Sequence, residues 1–123
     1  TVIYFRYRIY IYIYLFVIGD DPMQEKVLRK LFLGFIHIHI LHHAKVEPFF
    51  GSKMIEELRE HGYSMSPGTL YPILHNMERD GLLLRKDRLI DGKIRKYYSI
   101  TSEGNEILEE AKSKAFELFK EIK

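Results

Sequence analysis

The sequence predicts a mainly α fold of the α+β class, with helices on either side of one short antiparallel ribbon. Three observations carry that prediction. Residues 66–81 hold a helix with start and stop signals, residues 82–100 hold two strand-like runs around Asp91-Gly92, and residues 101–123 hold an apolar seam at helical spacing. At 123 residues the chain is one domain by length, with a real but modest core. The 46% hydrophobic and 29% charged content is that of an ordinary globular chain and excludes a low-complexity protein. There is no cysteine, which rules out disulfides and thiolate metal sites and leads us to expect a reducing, cytoplasmic setting.

The helix at residues 66–81 comes first because its signals are the clearest. Ser66 suits an N-cap, Pro67 suits the first helical position, and Gly81 suits the stop. Leu70, Ile73, Leu74 and Met77 form an apolar stripe, while Thr69, Tyr71, His75, Asn76 and Arg79 fall mostly on the other side. Pro72 removes one helical hydrogen bond. Either the first turn is irregular, or the helix begins near Thr69 and Pro72 falls in its tolerant first turn. Leu82–Leu89 and Lys93–Ile100 then read as strands, with Asp91-Gly92 as a two-residue hairpin turn. On the second strand Ile94, Lys96, Tyr98 and Ile100 share one face, and Lys93, Arg95, Tyr97 and Ser99 the other.

Charge follows this segment. The net charge of the whole chain is only +2, yet residues 66–98 carry seven basic and four acidic groups, a net of +3. Residues 85–96 alone hold six basic and two acidic groups, +4, whereas residues 101–123 total −2. A helix offering small polar groups and an aromatic, beside a basic ribbon, suits a helix in the DNA major groove with a wing on the phosphates. Solvated hairpins are often basic too, so the charge pattern alone leaves both readings open.

The remaining elements follow in chain order. In residues 1–18, isoleucines at 9, 11 and 13 alternate with tyrosines at 10, 12 and 14, which is strand periodicity. As one strand this stretch would measure roughly 50–60 Å at ~3.3 Å per residue, longer than a domain of this size, so it must bend, coil or reach another chain. Arg6 and Arg8 leave too short an apolar run for a membrane span. Residues 1–22 are read as an N-terminal extension of unknown role or a misassigned start. Residues 24–43 read as a helix whose apolar side chains, among them Leu28, Leu31 and Phe35, cover more than one face. Such a helix needs burial on several sides, which implies a partner. It ends in His37, His39, His42 and His43. His39 and His43 are spaced to face one metal, but no carboxylate at helical spacing completes a site before Glu47, so polar surface caps and no metal are expected. Pro48 and Gly51 frame a second helix over about Ser52–His61, and Gly62–Met65 is the turn of a helix-turn-helix. Ser52 and Lys53 stand where phosphates meet a helix start, although exposed polar caps look the same in sequence. Thr101 caps the last helix, where Leu108, Ala111, Ala115, Leu118, Phe119 and Ile122 belong to a seam near 3.5 residues per repeat, expected to dimerise.

GTLYPIL, MERDGLL and GKIRKYYSITSEG, with PFFGSKMIEEL upstream, resemble the PadR family of winged helix-turn-helix transcriptional regulators. The resemblance covers roughly residues 24–123, and the tandem of GTLYP and RKYYSIT is its most specific part. It implies a winged helix-turn-helix over residues 23–100 and one dimerisation helix over residues 101–123, as in the family's shorter members. It also implies a repressor released by a small-molecule effector, often aromatic, near the dimer interface; Phe116 and Phe119 are candidates to line such a site, although core packing is the stronger reading of both. The DNA-facing set expected is Ser52, Lys53, Ser66, Gly68, Thr69, Tyr71, His75, Arg79, Lys93, Arg95 and Lys96, against a double-stranded operator. Two other classes compete. A winged helix used for protein contacts would keep the fold and lose the salt-dependent affinity for duplex DNA. A histidine–metal enzyme ranks last, for want of a general base or nucleophile motif.

Overall fold

In the computed structural model, which describes residues 22–123, the elements run α1 (Pro22–Val46), β1 (Phe49–Phe50), α2 (Gly51–Glu60), α3 (Pro67–Arg79), β2 (Leu83–Ile90), β3 (Lys93–Ile100) and α4 (Ser102–Ile122). The strand expected in residues 1–18 lies outside the described residues. The sheet is antiparallel with order β1-β3-β2. The sequence reading missed β1, because two residues cannot show a period of two. Phe49 and Phe50 are strand only because they pair with Tyr98 and Tyr97.

The hairpin turn is as its residues dictate. Ile90 pairs with Lys93 across Asp91-Gly92, whose φ values of 51° and 76° are those of a type I′ turn. Strand β2 is shifted one residue from the expected Leu82–Leu89. Leu82 instead closes α3, donating its N–H to the Met77 carbonyl after Gly81 at φ 81°. The end of α2 repeats this closure, from Tyr63 N–H to the Leu58 carbonyl after Gly62.

Helix α3 begins at Pro67, so Pro72 lies inside it. Of the two starts weighed from the sequence, the later one near Thr69 is not adopted. Pro72 costs the bond to the carbonyl of Gly68, an exposed residue. Ser66 occupies the N-cap position but its hydroxyl does not cap: its carbonyl accepts from Thr69 and Leu70 N–H, both at 3.0 Å.

The core draws on every layer. Ile36, Ile40, Leu41 and Ala44 of α1 meet Met54 and Leu58 of α2, Leu70, Leu74 and Met77 of α3, and Phe49, Leu83 and Tyr98 of the sheet. Leu108 of α4 is also buried within this chain, at 1% exposure. The expectation that the whole last helix lacks cover in cis, and Leu108 with it, is thus corrected: its first turns pack on α1. Thr101 fixes the helix start, accepting from Gly104 N–H at 3.0 Å and donating to the Gly81 carbonyl at 2.6 Å. Lys45 of α1 reaches Glu109 at 3.0 Å, and that bond, with Lys112 nearby, lowers the Glu109 pKa. Beyond Ala111 the α4 side chains are exposed.

Candidate nucleic-acid interface

Three elements converge on one open groove. It is lined by Phe50, Gly51 and Ser52 at the start of α2, Tyr71 and His75 of α3, and Ile94, Arg95 and Lys96 of β3. Among the described residues, two cations and no carboxylate line it. The start of α2 adds to the positive field: it has no acidic residue in its first turn and no side-chain cap, so its first N–H groups remain as donors.

Close packing sets the position of Tyr71. A Cβ on Gly51 would lie 2.6 Å from the Tyr71 ring, so only glycine lets the half-buried tyrosine lie across the beginning of α2. This contact ties α3 to α2 at the groove floor.

The wing has two unlike faces. Cross-strand partners put Lys86 with Tyr97, Arg88 with Arg95 and Ile90 with Lys93 on one face, which carries four cations and no acid. The other face pairs Asp87 with Lys96 and Leu89 with Ile94. Arg85, also on that face, lies between Glu78 at 3.9 Å and Asp87 at 3.7 Å. Two like-charged arginines directly opposite would repel, but each is held over an aromatic ring. Arg95 sits 4.9 Å from the Phe50 centroid and Arg88 5.0 Å from that of Tyr97. The Phe50 contact brings Arg95 back to the groove edge although its strand position alternates with Lys96.

Of the expected DNA-facing residues, Ser52, Tyr71, His75, Arg95 and Lys96 therefore come together. Ser66, Gly68 and Thr69 form a separate exposed cluster at the start of α3, with the Ser66 and Thr69 hydroxyls 3.2 Å apart. Lys93 is exposed beside the hairpin turn. Lys53 faces Glu47 at 3.5 Å and Arg79 faces Asp80 at 3.7 Å. Both pairs are largely exposed, and such pairs contribute little. Arg79 lies about 18 Å along the helix from Pro67, at the far end of α3. Sequence reasoning missed Phe50, Gly51 and Arg88 as parts of this surface. Arg88 was legible as a basic residue, but its place beside Arg95 depends on the register.

The expected dimerisation residues also sort by exposure. Leu31, Phe35, Leu118, Phe119 and Ile122 are large apolar side chains 39–71% exposed, Ala115 is exposed, and Leu28 and Ala111 are half-buried.

The sequence model of the PadR-like transcriptional regulator family matches residues 40–110, more than half of the chain. The chain belongs to the PadR-like family of transcriptional regulators. Transcriptional regulator Rv3488 of Mycobacterium tuberculosis is 41% identical over 95 residues, covering 77% of this chain and 89% of that protein. A PadR family regulator from Eggerthella lenta has the same fold in its crystal structure, with a TM-score of 0.70, 28% identity and coverage of 83% of this chain and 90% of that one. A PadR-like regulator from Bacillus cereus matches with a TM-score of 0.69 and 29% identity over 76% of this chain and 92% of that one. The resemblance read from GTLYP and RKYYSIT is thus borne out, as is the winged fold. The PadR-like chain is a regulator and not an enzyme, and regulators of this family bind DNA. Among the described residues no helix is long and apolar enough to cross a membrane.

Proposed function

We propose that this PadR-like regulator is a homodimeric, sequence-specific repressor that binds a pseudo-palindromic duplex operator. The observation that carries the reading is the acid-free groove in which Arg95 and Lys96 meet Ser52, Tyr71 and His75 at the start of α2. Groups of this kind bind phosphates and position a helix on base edges. The α3 start, with Ser66, Gly68 and Thr69 exposed, is the part that reads bases. The cations of β2 and β3 supply affinity.

The uncovered apolar faces of α1 and α4 support the dimer. Val27, Leu31 and Phe35 on one helix, and Phe116, Leu118, Phe119 and Ile122 on the other, are too many exposed side chains for a free surface. A two-fold axis through these helices would present two α3 helices to successive major grooves. Release by an aromatic small molecule, held near Phe116 and Phe119 in the assembled dimer, completes the proposal. Selection of bound sequences from random duplex DNA tests it. A pseudo-palindromic consensus bound by a dimer is the expected result. Enrichment of no sequence, with duplex binding equal on all DNA, would replace it with a protein-contact module.

A further inference from the structure

The fold supplies what the histidine run at the end of α1 lacked. His39 and His43 lie one turn apart on α1, and His61, the C-cap of α2, folds in against them. One ligating atom from each of the three lies within 4.8 Å of the others. The His39 and His61 rings stack at 4.3 Å, and the His43 ring is 5.9 Å from that of His61. His37 is not part of this group, since its Nδ1–H donates to the Leu33 carbonyl at 2.6 Å.

We propose that His39, His43 and His61 form a binding site for a divalent transition-metal ion, zinc being the best match, that clamps α1 to the helix-turn-helix. Three imidazoles with an open fourth position are a zinc donor set. Zinc–nitrogen bonds of about 2.0–2.1 Å in a tetrahedral site put the nitrogens about 3.3 Å apart, so the rings need to close by about 1.5 Å or less.

Two further observations point to a ligand. The Nε2 atom of His43 is buried and has no hydrogen-bond partner. Glu57, one turn before His61 on α2, brings its carboxylate to 4.0 Å from that nitrogen, too far for a hydrogen bond. It is placed to take the fourth position or to orient a ligating ring. Burial also disfavours the charged form of His39 and His43. Burial, then the neighbouring His61, His43 and His42, pushes the His39 pKa down to about 4. Burial lowers that of His43 as well, with His42 and His61 adding to it and Glu57 and Glu60 opposing it.

His61 directly precedes the turn into α3, so an ion here would hold the helix-turn-helix against α1. The test uses the full chain with no affinity tag, titrated with zinc against a chelator of known affinity and followed by thermal melting. One zinc per chain is expected, with a rise of about 10 °C in Tm at a hundredfold excess over Kd. His61→Ala, at an exposed position that leaves the core intact, should lose at least tenfold in zinc affinity and the Tm rise. His37→Ala should bind as the parent does. No zinc-dependent rise in the parent protein, unchanged binding by His61→Ala, or equal loss in His37→Ala would each overturn the site. None of these readouts involves DNA, so they stand apart from the repressor proposal.

Discussion

The groove beside α3 and the outer faces of α1 and α4 are both uncovered, but they are uncovered in different ways. The groove and wing expose Arg95, Lys96 and Lys93, which water solvates well and which lose little by waiting. The helix faces expose Phe35, Leu118, Phe119 and Ile122 at 39%, 56%, 61% and 71%. Burying one such side chain is worth about 1.5–3 kcal/mol, so leaving several in water is a standing cost. On the proposed reading the two surfaces therefore meet two kinds of partner. DNA comes and goes with salt and operator, whereas the second subunit is part of the folded state.

The sharpest way to break this contrast is to make the apolar face resemble the charged one. Leu118→Lys puts an ammonium where the proposed partner helix packs, and burying an unpaired charge costs several kcal/mol. The dimer should dissociate, with a lower Tm that depends on protein concentration. A light-scattering mass and a melting curve both equal to those of the parent would remove α4 from the interface.

Both surfaces were legible in the sequence to different depths. The α4 seam was visible because 3.5-residue spacing is a local property, and so was the basic hairpin around Asp91-Gly92. What escaped were relations between elements. Leu108 belongs to the same seam as Leu118, yet the Lys45–Glu109 contact marks where α4 still packs on α1, and nothing in the spacing shows where that cover ends. Strand β1 exists only through β3, and Gly51 looks like a helix-start glycine until the Tyr71 ring is seen against it. His61, 18 residues after His43, is a similar case, because only the packing of α2 on α1 brings it to the cluster.

A second prediction acts on the groove floor and should be of middle size. In Gly51→Ala the new methyl collides with the far end of the Tyr71 side chain, which can swing away, so the effect on melting should be small. Tyr71 then leaves the groove, and operator affinity should fall roughly tenfold, about 1.4 kcal/mol. Tyr71→Ala should cost a similar amount, and the double variant no more than either single one. Additive losses in that cycle would show that Gly51 acts on DNA by another route.

The last variants separate the helix from the wing. Arg95 lies over the Phe50 ring at the groove edge, with Arg88 across the ribbon, whereas the exposed hydroxyls of Ser66 and Thr69 lie at the start of α3. A guanidinium meeting a phosphate is blind to sequence and releases counterions. Arg95→Ala should thus weaken operator and random DNA alike and reduce the salt slope by about one. Thr69→Ala should instead cost roughly 1–3 kcal/mol on operator and much less on random duplex, if its hydroxyl reads a base. Thr69 also holds the Ser66 hydroxyl at 3.2 Å, so its loss could act by loosening the α3 start. In that case Ser66→Ala would reproduce both the binding defect and any fall in Tm. Isotherms for the three variants on both DNAs at three salt concentrations distinguish these outcomes. Selective loss of operator binding in Arg95→Ala, with random binding intact, would give base reading to the wing and reverse the assignment.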